Sequence, residues 1–481
     1  MIVLKYLSAF VYGLLCILIA FIAGRMGMDK KYTRKIVHIL VGFEWVILYS
    51  FFGAGFHFTA VCIAFTLFLI LTYKSKYMDM MSSGEENAPG TVYYGISMTV
   101  MAIISCFAEN FIFAFGIAVF CTSLGDGLAG VVGAAAKSHN PRIYKSKTLF
   151  GTLSAFLFSF ISIVVFVAVY SLNIKIYHAL ASAALAAGLE LITGFGLDNI
   201  TLPIGVSLFA YLLIFSGNAD AYIIPIILTP FVVAIVSEKR ILSQKGIIAA
   251  LICDLLITVS LADSGFLLML AFLLLSVVVD KVKNHARKSS ESVEQKQGTR
   301  DGMQVLANGI IPVIMALLYL FTNSFVFVVA YCAALGEAFS DTCASGFGSL
   351  SGSSYDILRR REIPIGLSGG VSIIGTVASF AAPFVLLSIP LAFDMIELKV
   401  WAMCSVSSFL GSVFDSVLGS LVQVKFKCKV CGAITEKRLH CSAETEYLSG
   451  IACIDNDAVN LISTLFSAVL SIAFYLLIQA V

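Results

Sequence analysis

The chain has 481 residues, of which 59% are hydrophobic and 12% charged, and its mean hydropathy is +0.97. Apolar runs of roughly 18 or more residues recur along it, which excludes a soluble globular protein; they are also too long for the short alternating strands of a β-barrel. An all-α, polytopic transmembrane protein remains, and a net charge of +2 offers no footprint for nucleic acid.

Hydropathy places spans at roughly 6–24, 36–52, 55–73, 92–108, 111–133, 150–171, 176–190, 200–216 and 220–236. A second group follows at roughly 246–261, 264–280, 303–322, 325–341, 369–391, 399–424 and 457–480, about sixteen in all. The first run has only Lys5 before it and no clear small-residue cleavage site after it, so it reads as a retained span rather than a signal peptide. With sixteen alternating spans, the basic loops at 25–35, 74–76, 137–147, 239–245, 281–300, 359–361 and 425–438 all fall on one side. The other side offers only Lys5 and Lys175, with Lys399 at a boundary. The positive-inside rule then predicts cytoplasmic basic loops and both termini outside. Eight of the 12 cysteines lie inside apolar runs, where they act as small hydrophobes, and no disulfide framework is indicated.

The segment from Cys121 to Phe156 carries the first unusual chemistry. It reads as an apolar helix with one carboxylate, a basic loop, and another apolar helix. On a helix Asp126, Ala129, Gly130 and Gly133 share a face almost bare of side chain. The loop behind it offers Lys137, Arg142, Lys145 and Lys147. A carboxylate in a bilayer costs about 2.5–3.5 kcal/mol on insertion scales, which makes Asp126 a functional candidate. Carboxylate, cations and close backbone approach suit Mg²⁺ and phosphate. The plain alternative is close helix packing through small residues, with the cations marking the cytoplasmic side.

Other polar residues gather at the same boundary. Arg34, His38 and Gly42 share one helical face, where a lone histidine can equally be a satisfied boundary residue. Glu190 precedes Asp198-Asn199 and Pro203 in a loop with no basic residue, so a bound cation could offset it; a helix cap is the alternative. The second half repeats these offsets. Arg300, Gln304 and Asn308 repeat Arg34, His38 and Gly42, and Asp341, Ala344, Ser345 and Gly348 repeat the Asp126 face. Arg359, Arg360 and Arg361 follow, then Gly375–Phe380 echoes Gly151–Phe156, and Asp455-Asn456-Asp457 with Asn460 echoes Asp198-Asn199. The chain therefore reads as two related modules, 1–238 and 239–481, meeting in the loop from Ser237 to Lys245. The polar segment 281–300 reads as a flexible loop inside the second. The second module adds Asp415 on another small-residue face. It also adds Cys428, Cys431, His440 and Cys441, whose thiolates and imidazole can hold a structural Zn²⁺; reduced thiols are the alternative.

The strings RKIVHILVG, SLGDGLAGVVG, KSKTLFGTLSAF and DNITLP of the first half resemble the phytol kinase and dolichol kinase family. In the second half GTRDGMQVLANG, GEAFSDTCASGFG, REIPIGLSGGVSIIGTVAS, GSVFDSVLGS and IDNDAVN resemble the integral membrane family that includes phytyl-phosphate kinase. The double resemblance implies a fusion that converts a prenol such as phytol, geranylgeraniol or farnesol to its monophosphate and then its diphosphate. It implies a nucleoside triphosphate, CTP in type, as donor. On this basis Asp126, Asp198 and Glu190 would hold Mg²⁺ in the first module, and Asp341, Asp415 and Asp455 in the second. Arg34, Lys35, Lys145 and Lys147 would meet phosphate, with Gly127 and Gly130 allowing close approach; Arg300, Gln304, Asn308, Arg360 and Arg361 would serve the second module. His38 would take the prenol proton, while Gln304 at the matching offset would only orient phosphate. Two alternatives stand beside this: a CDP-lipid synthase, since the first family borders on cytidylyltransferases, and an isoprenoid or lipid-phosphate transporter, since paired modules also describe carriers.

Overall fold

The computed structural model describes residues 2–28, 30–73, 90–136, 140–194, 196–215, 220–286 and 299–479. Lys137, the loop 74–76, most of the 281–300 segment and the side chain of Arg34 lie outside this description. The chain forms two compact units, Met1–Glu238 and Lys239–Val481.

The first unit begins with α1 (Ile2–Arg25), α2 (Lys30–Gly42), α3 (Glu44–Phe52), α4 (Phe56–Thr72) and α5 (Gly90–Phe107). It continues with α6 (Phe111–Phe120), a π-helical turn (Cys121–Asp126), α7 (Gly127–Ala135), α8 (Leu149–Val169), α9 (Ile176–Ile192), α10 (Asp198–Phe215) and α11 (Ile223–Glu238). The second holds α12 (Gln244–Ala286), α13 (Gly302–Thr322), α14 (Val326–Gly348), α15 (Ile373–Ala392), α16 (Leu398–Leu421) and α17 (Asn456–Gln479). Among the described residues, 13 helices are long and apolar enough to cross a membrane, and two shorter apolar helices join them. One of the 13, α12, breaks at Ala262 (φ 53°, ψ −144°) into two arms. Counting those arms separately gives sixteen apolar segments, one for each span read from hydropathy.

Each unit is organised around one nearly sealed helical segment. Phe111–Gly133 and Val326–Gly348 are each 78% buried, against 22–44% for the other eleven long helices. Both are rich in Ala, Gly and Ser, and in lipid, helices associate through close packing of such residues rather than through hydrophobicity. A Cβ on Gly116 would meet the Phe166 ring at 2.4 Å, and one on Gly336 would meet Ser408 Oγ at 2.4 Å. The surroundings differ in kind. In the first unit Trp45 stacks on Tyr49 and packs against Phe166 and Tyr170. In the second, hydroxyls do the joining: Ser408 and Ser467 both donate to the Ala333 carbonyl, and Ser340, Ser379 and Ser412 form a chain with links of 2.8 and 3.0 Å. Interhelical bonds of this sort average about 0.6 kcal/mol each. Tyr331 donates to the Gly265 carbonyl at 2.6 Å and ties α14 to the break in α12.

Two local departures from the sequence reading matter for function. The helix carrying Asp126 is not a regular α-helix, because Cys121–Asp126 forms a π-turn, a feature frequent at functional sites. The basic loops are not plain coil. Residues 142–148 form the hairpin β1 (Arg142–Tyr144) and β2 (Lys147–Thr148). Beyond α14, β3 (Ser354–Asp356), β4 (Glu362–Ile363) and β5 (Gly370–Val371) pair in the order β4-β3-β5. Between α16 and α17, β6 (Lys425–Lys427), β7 (Ile434–Thr435), β8 (Leu439–His440), β9 (Ala443–Glu444) and β10 (Glu446–Ser449) form a sheet in the order β10-β6-β7 and the hairpin β8–β9.

Candidate active sites

In the first unit α2 packs against the π-turn and α7. The space over Gly130 and Gly127 is taken by α2 itself: a Cβ there would lie 2.8 Å from Lys35 Cε and 2.8 Å from Ile39 Cγ1. That approach places Lys35 Nζ 2.9 Å from each of three Asp126 oxygens, both carboxylate oxygens and the backbone carbonyl. One turn on, His38 Nε2 lies 3.1 Å from the Thr122 carbonyl inside the π-turn and 3.6 Å from Asp126 Oδ2. A carbonyl only accepts, so Nε2 carries hydrogen and Nδ1 is the basic nitrogen of the neutral ring. From the hairpin, Lys147 pairs with Glu190 of α9. Burial works against the Lys147 charge, but Glu190 and Asp126, with Asp198, outweigh it and raise this lysine above its ordinary value. Asp198, at the start of α10, interacts electrostatically with Asp126, Lys147 and Lys35, and its Oδ1 accepts from the Asn199 N–H and side-chain amide. Lys35, His38, Asp126, Lys147, Glu190 and Asp198 thus form one cluster: three carboxylates, two ammonium groups and an imidazole. Lys145 is exposed and lies over the Tyr144 ring, 5.0 Å from its centroid.

The second unit opens a cavity of about 1190 Å³ lined by Asp341 of α14, Asp415 of α16, Asn460 of α17, and Arg300, Gln304 and Asn308. Beneath it, one turn back along α14 from Asp341, sits Glu337, 1% exposed, in electrostatic contact with Asp415 and Asp341. Glu337 Oε1 has no hydrogen-bond partner among the described residues. Ser463 donates to Asp415 Oδ2 at 3.1 Å, and the Asn460 amide, turned to donate, reaches the same oxygen at 3.3 Å. Arg300 is held by Asp280 at 2.7 Å. Gln304 shares a capping box with Asp301, its Oε1 accepting the Asp301 N–H at 3.1 Å.

Other sequence-derived residues sit elsewhere. Asp455 is absent from the cavity lining and accepts the Ala458 N–H (3.1 Å) near the start of α17, while the adjacent Asn456 and Asp457 do line it. Arg359, Arg360 and Arg361 are exposed at the tip of the β3–β4 turn, and the cations in the lining are Arg300 and Lys437. What orders that tip is Asp356, which the sequence reading passed over. Burial pushes its carboxyl up, but the Arg359 N–H, the Ser420 hydroxyl and the Leu358 N–H prevail, and Asp356 lies below the usual aspartate value. Glu337 was also missed, although a lone carboxylate inside the apolar run AALGEAFS is itself a signal. Burial lowers Lys425, which lies beside Glu436 and Asp356. Finally, Cys428, Cys431, His440 and Cys441 bring their ligand atoms within 4.8 Å of one another.

No solved structure matches the chain. It is 28% identical over 204 residues to the phytol kinase of Synechocystis sp., covering 40% of this chain and 85% of that one. It is 24% identical over 237 residues to the chloroplast protein VTE6 of Arabidopsis thaliana, covering 48% of this chain and 64% of that protein. An uncharacterized membrane protein of Methanocaldococcus jannaschii is 25% identical over 242 residues, 50% of this chain and 88% of its own length. Residues 227–468, just over half of the chain, match the family described as integral membrane protein DUF92, and the chain belongs to that family.

Proposed function

We propose that the protein is a membrane isoprenoid kinase whose two units act in turn, prenol to prenyl phosphate in the first and prenyl phosphate to prenyl diphosphate in the second. The donor is a nucleoside triphosphate, CTP by family resemblance. The observation that carries this reading is the first unit's cluster of carboxylates, lysines and a histidine, in a chain similar to a protein named phytol kinase. Phosphoryl transfer asks a protein chiefly for positioning and charge, and the cluster supplies both signs. A prenol meets its enzyme at the bilayer boundary, and the basic loops are assigned to the cytoplasmic side, where nucleotides are.

In the first step the prenol oxygen attacks the γ-phosphorus, the bond to the β-bridging oxygen breaks, and the hydroxyl proton passes to His38 Nδ1. Lys147 carries its charge at neutral pH and faces the phosphates. Mg²⁺, when bound, would supply positive charge to neutralise what develops on the phosphates. Its fit differs between the units. In the second, the unpartnered Glu337 oxygen beside Asp341 and Asp415 suits a divalent cation. In the first, Lys35 takes both Asp126 oxygens and Lys147 pairs with Glu190 Oε1, so Asp198 and the other Glu190 oxygen would hold the ion, and a metal on Asp126 would have to displace Lys35.

The test is purified protein with CTP labelled at the γ-phosphate or, in a parallel reaction, at the α-phosphate, and phytol, geranylgeraniol or farnesol, followed by chromatography of the lipids. Labelled prenyl monophosphate followed by diphosphate is expected. Label entering lipid only from the α-phosphate, with pyrophosphate released, would make the protein a CDP-lipid synthase; no labelled lipid under any condition would end the kinase reading.

A further inference from the structure

The loop between α16 and α17 carries four metal-binding side chains that phosphoryl transfer does not use. Cys428 and Cys431 flank the turn between β6 and β7, and His440 and Cys441 come from the β8–β9 hairpin. His440 Nδ1 lies 3.6 Å from Cys431 Sγ and 3.3 Å from Cys441 Sγ, and all four ligand atoms fall within 4.8 Å of one another. Around a tetrahedral Zn²⁺, ligand atoms are about 3.5–3.8 Å apart, so the set closes on the ion with small adjustments.

The backbone points the same way at both ends. Val430 N–H is aimed at Cys428 Sγ (3.4 Å), and Gly432, with φ +74°, donates its N–H to the Cys428 carbonyl (3.0 Å), wrapping the turn around that sulfur. In the β8–β9 hairpin the two turn residues are Cys441 and Ser442, with φ of 50° and 57°. A two-residue turn with both φ positive favours Asn-Gly; a Cys-Ser pair there is strained and is retained where the surroundings over-determine it. The turn delivers Cys441 Sγ to His440.

From this geometry we infer that Cys428, Cys431, His440 and Cys441 bind one Zn²⁺, and that the ion fixes the wall of the second unit's cavity. A closed set of four protein ligands makes the ion structural rather than catalytic. The same hairpin contributes His440 and Cys441 to the cavity lining, next to Glu436 and Lys437. Glu436 Oε1 accepts the Ser368 N–H at 2.8 Å and so fastens this loop to the segment between β4 and β5, which also lines the cavity. Zinc binding here does not depend on whether the cavity transfers phosphate.

The full chain, purified in detergent without a metal-affinity tag, should carry one zinc by elemental mass spectrometry. Chelation should raise the number of maleimide-reactive thiols by three, the cluster's cysteines, while exposed Cys453 reacts before and after. Cobalt added to the chelated protein should give the intense thiolate-to-metal absorption of a tetrahedral site, and the double variant Cys431→Ser/Cys441→Ser should lose both zinc and that band with its helical circular dichroism retained. If the double variant does not fold, the thiol count on the unsubstituted chain decides. A native chain that takes up neither metal, zinc retained by a folded double variant, or a disulfide among these cysteines would each overturn the proposal.

Discussion

The two units place the same kinds of residue at the same offsets and then supply opposite charge. Thr148 accepts the Gly151 N–H at the start of α8, and Ser372 accepts the Gly375 N–H at the start of α15. Gly133 approaches Gly151, and Gly348 approaches Gly375, so the scaffolds correspond residue for residue there. Counting from these anchors and from Arg34 and Arg300, Lys35 of the first unit corresponds to Asp301, Lys147 to Val371, His38 to Gln304, and Thr122 to Glu337. Both lysines of the first cluster are gone in the second, and carboxylates, Asp301 and Glu337, stand at two of the four matched positions. The first unit neutralises its carboxylates from within. The second has Glu337 beneath Asp341 and Asp415, with Arg300 and Lys437 the cations in the lining, and on the proposed function it would take a phosphate together with added cation.

If the clusters are separate sites, single changes should split the activities. Asp126→Asn should reduce prenol phosphorylation to background and leave conversion of supplied prenyl phosphate intact. Asp341→Asn should do the reverse, so that monophosphate accumulates. Loss of both steps from either single change, in a chain with native melting behaviour, would mean one shared site and would dissolve the comparison.

Stability should separate the units with opposite signs. Lys35→Met strips the cation from Asp126, and breaking one partner of a buried pair costs about 3–5 kcal/mol. A large fall in melting temperature is expected. Glu337→Met removes a buried carboxyl whose Oε1 has no partner among the described residues, and in chelator it should stabilise by about 1–3 kcal/mol, the scale of an unsatisfied buried group. It should also weaken the stabilisation that added Mg²⁺ gives the native chain. Destabilisation by Glu337→Met in chelator would show that the second cluster is neutralised internally after all.

The same logic sets the roles of His38 and Gln304. An alcohol must lose its proton during transfer, and a positioned base is worth roughly 10²–10⁴-fold, whereas a phosphate monoester near neutral pH is already largely ionised. His38→Gln, which gives the first unit the second unit's residue, should therefore slow prenol phosphorylation by about 100-fold and leave the second step unchanged. A change of a few-fold, or equal loss in both steps, would assign His38 to holding the π-turn carbonyl of Thr122.

Much of this was legible in the sequence, and what was not has a physical reason. Period and length located every apolar segment, including the break in α12, because Ala262 and Asp263 interrupt an otherwise continuous apolar run. Offsets located Asp126, Asp341 and Asp415, since a carboxylate on a small-residue face stands out in an apolar segment. Distance was not legible. The sequence does not say that Lys35 spends its charge on Asp126, that Gly127 and Gly130 receive α2, or that Arg359–Arg361 form an exposed tip. Those outcomes follow from which helices cross and where a turn closes. The π-turn escaped for a related reason: Cys121–Asp126 has no proline, its one glycine, Gly125, is one of several in this small-residue segment, and only the packing around it reveals the change in winding.

The smallest expected effect concerns the loop that the second unit has and the first replaces by a short hairpin. Asp356 holds the β3–β4 turn through the Leu358 and Arg359 N–H groups and also binds the Ser420 hydroxyl at the end of α16. Its folded pKa is lowered, so the ionised carboxylate is favoured in the folded state. That contribution is fully present above the ordinary aspartate value of 3.8 and fades as pH falls below it through the folded value. Asp356→Asn keeps the shape but not the charge, and each lost charge-assisted bond costs about 1 kcal/mol beyond a neutral one. Limited proteolysis should therefore cut the variant faster near Arg359–Arg361 at neutral pH, with little change in global melting. The difference between variant and parent should shrink as pH is lowered through the acid range. A gap that stays constant with pH would mean that Asp356 holds the turn through shape alone.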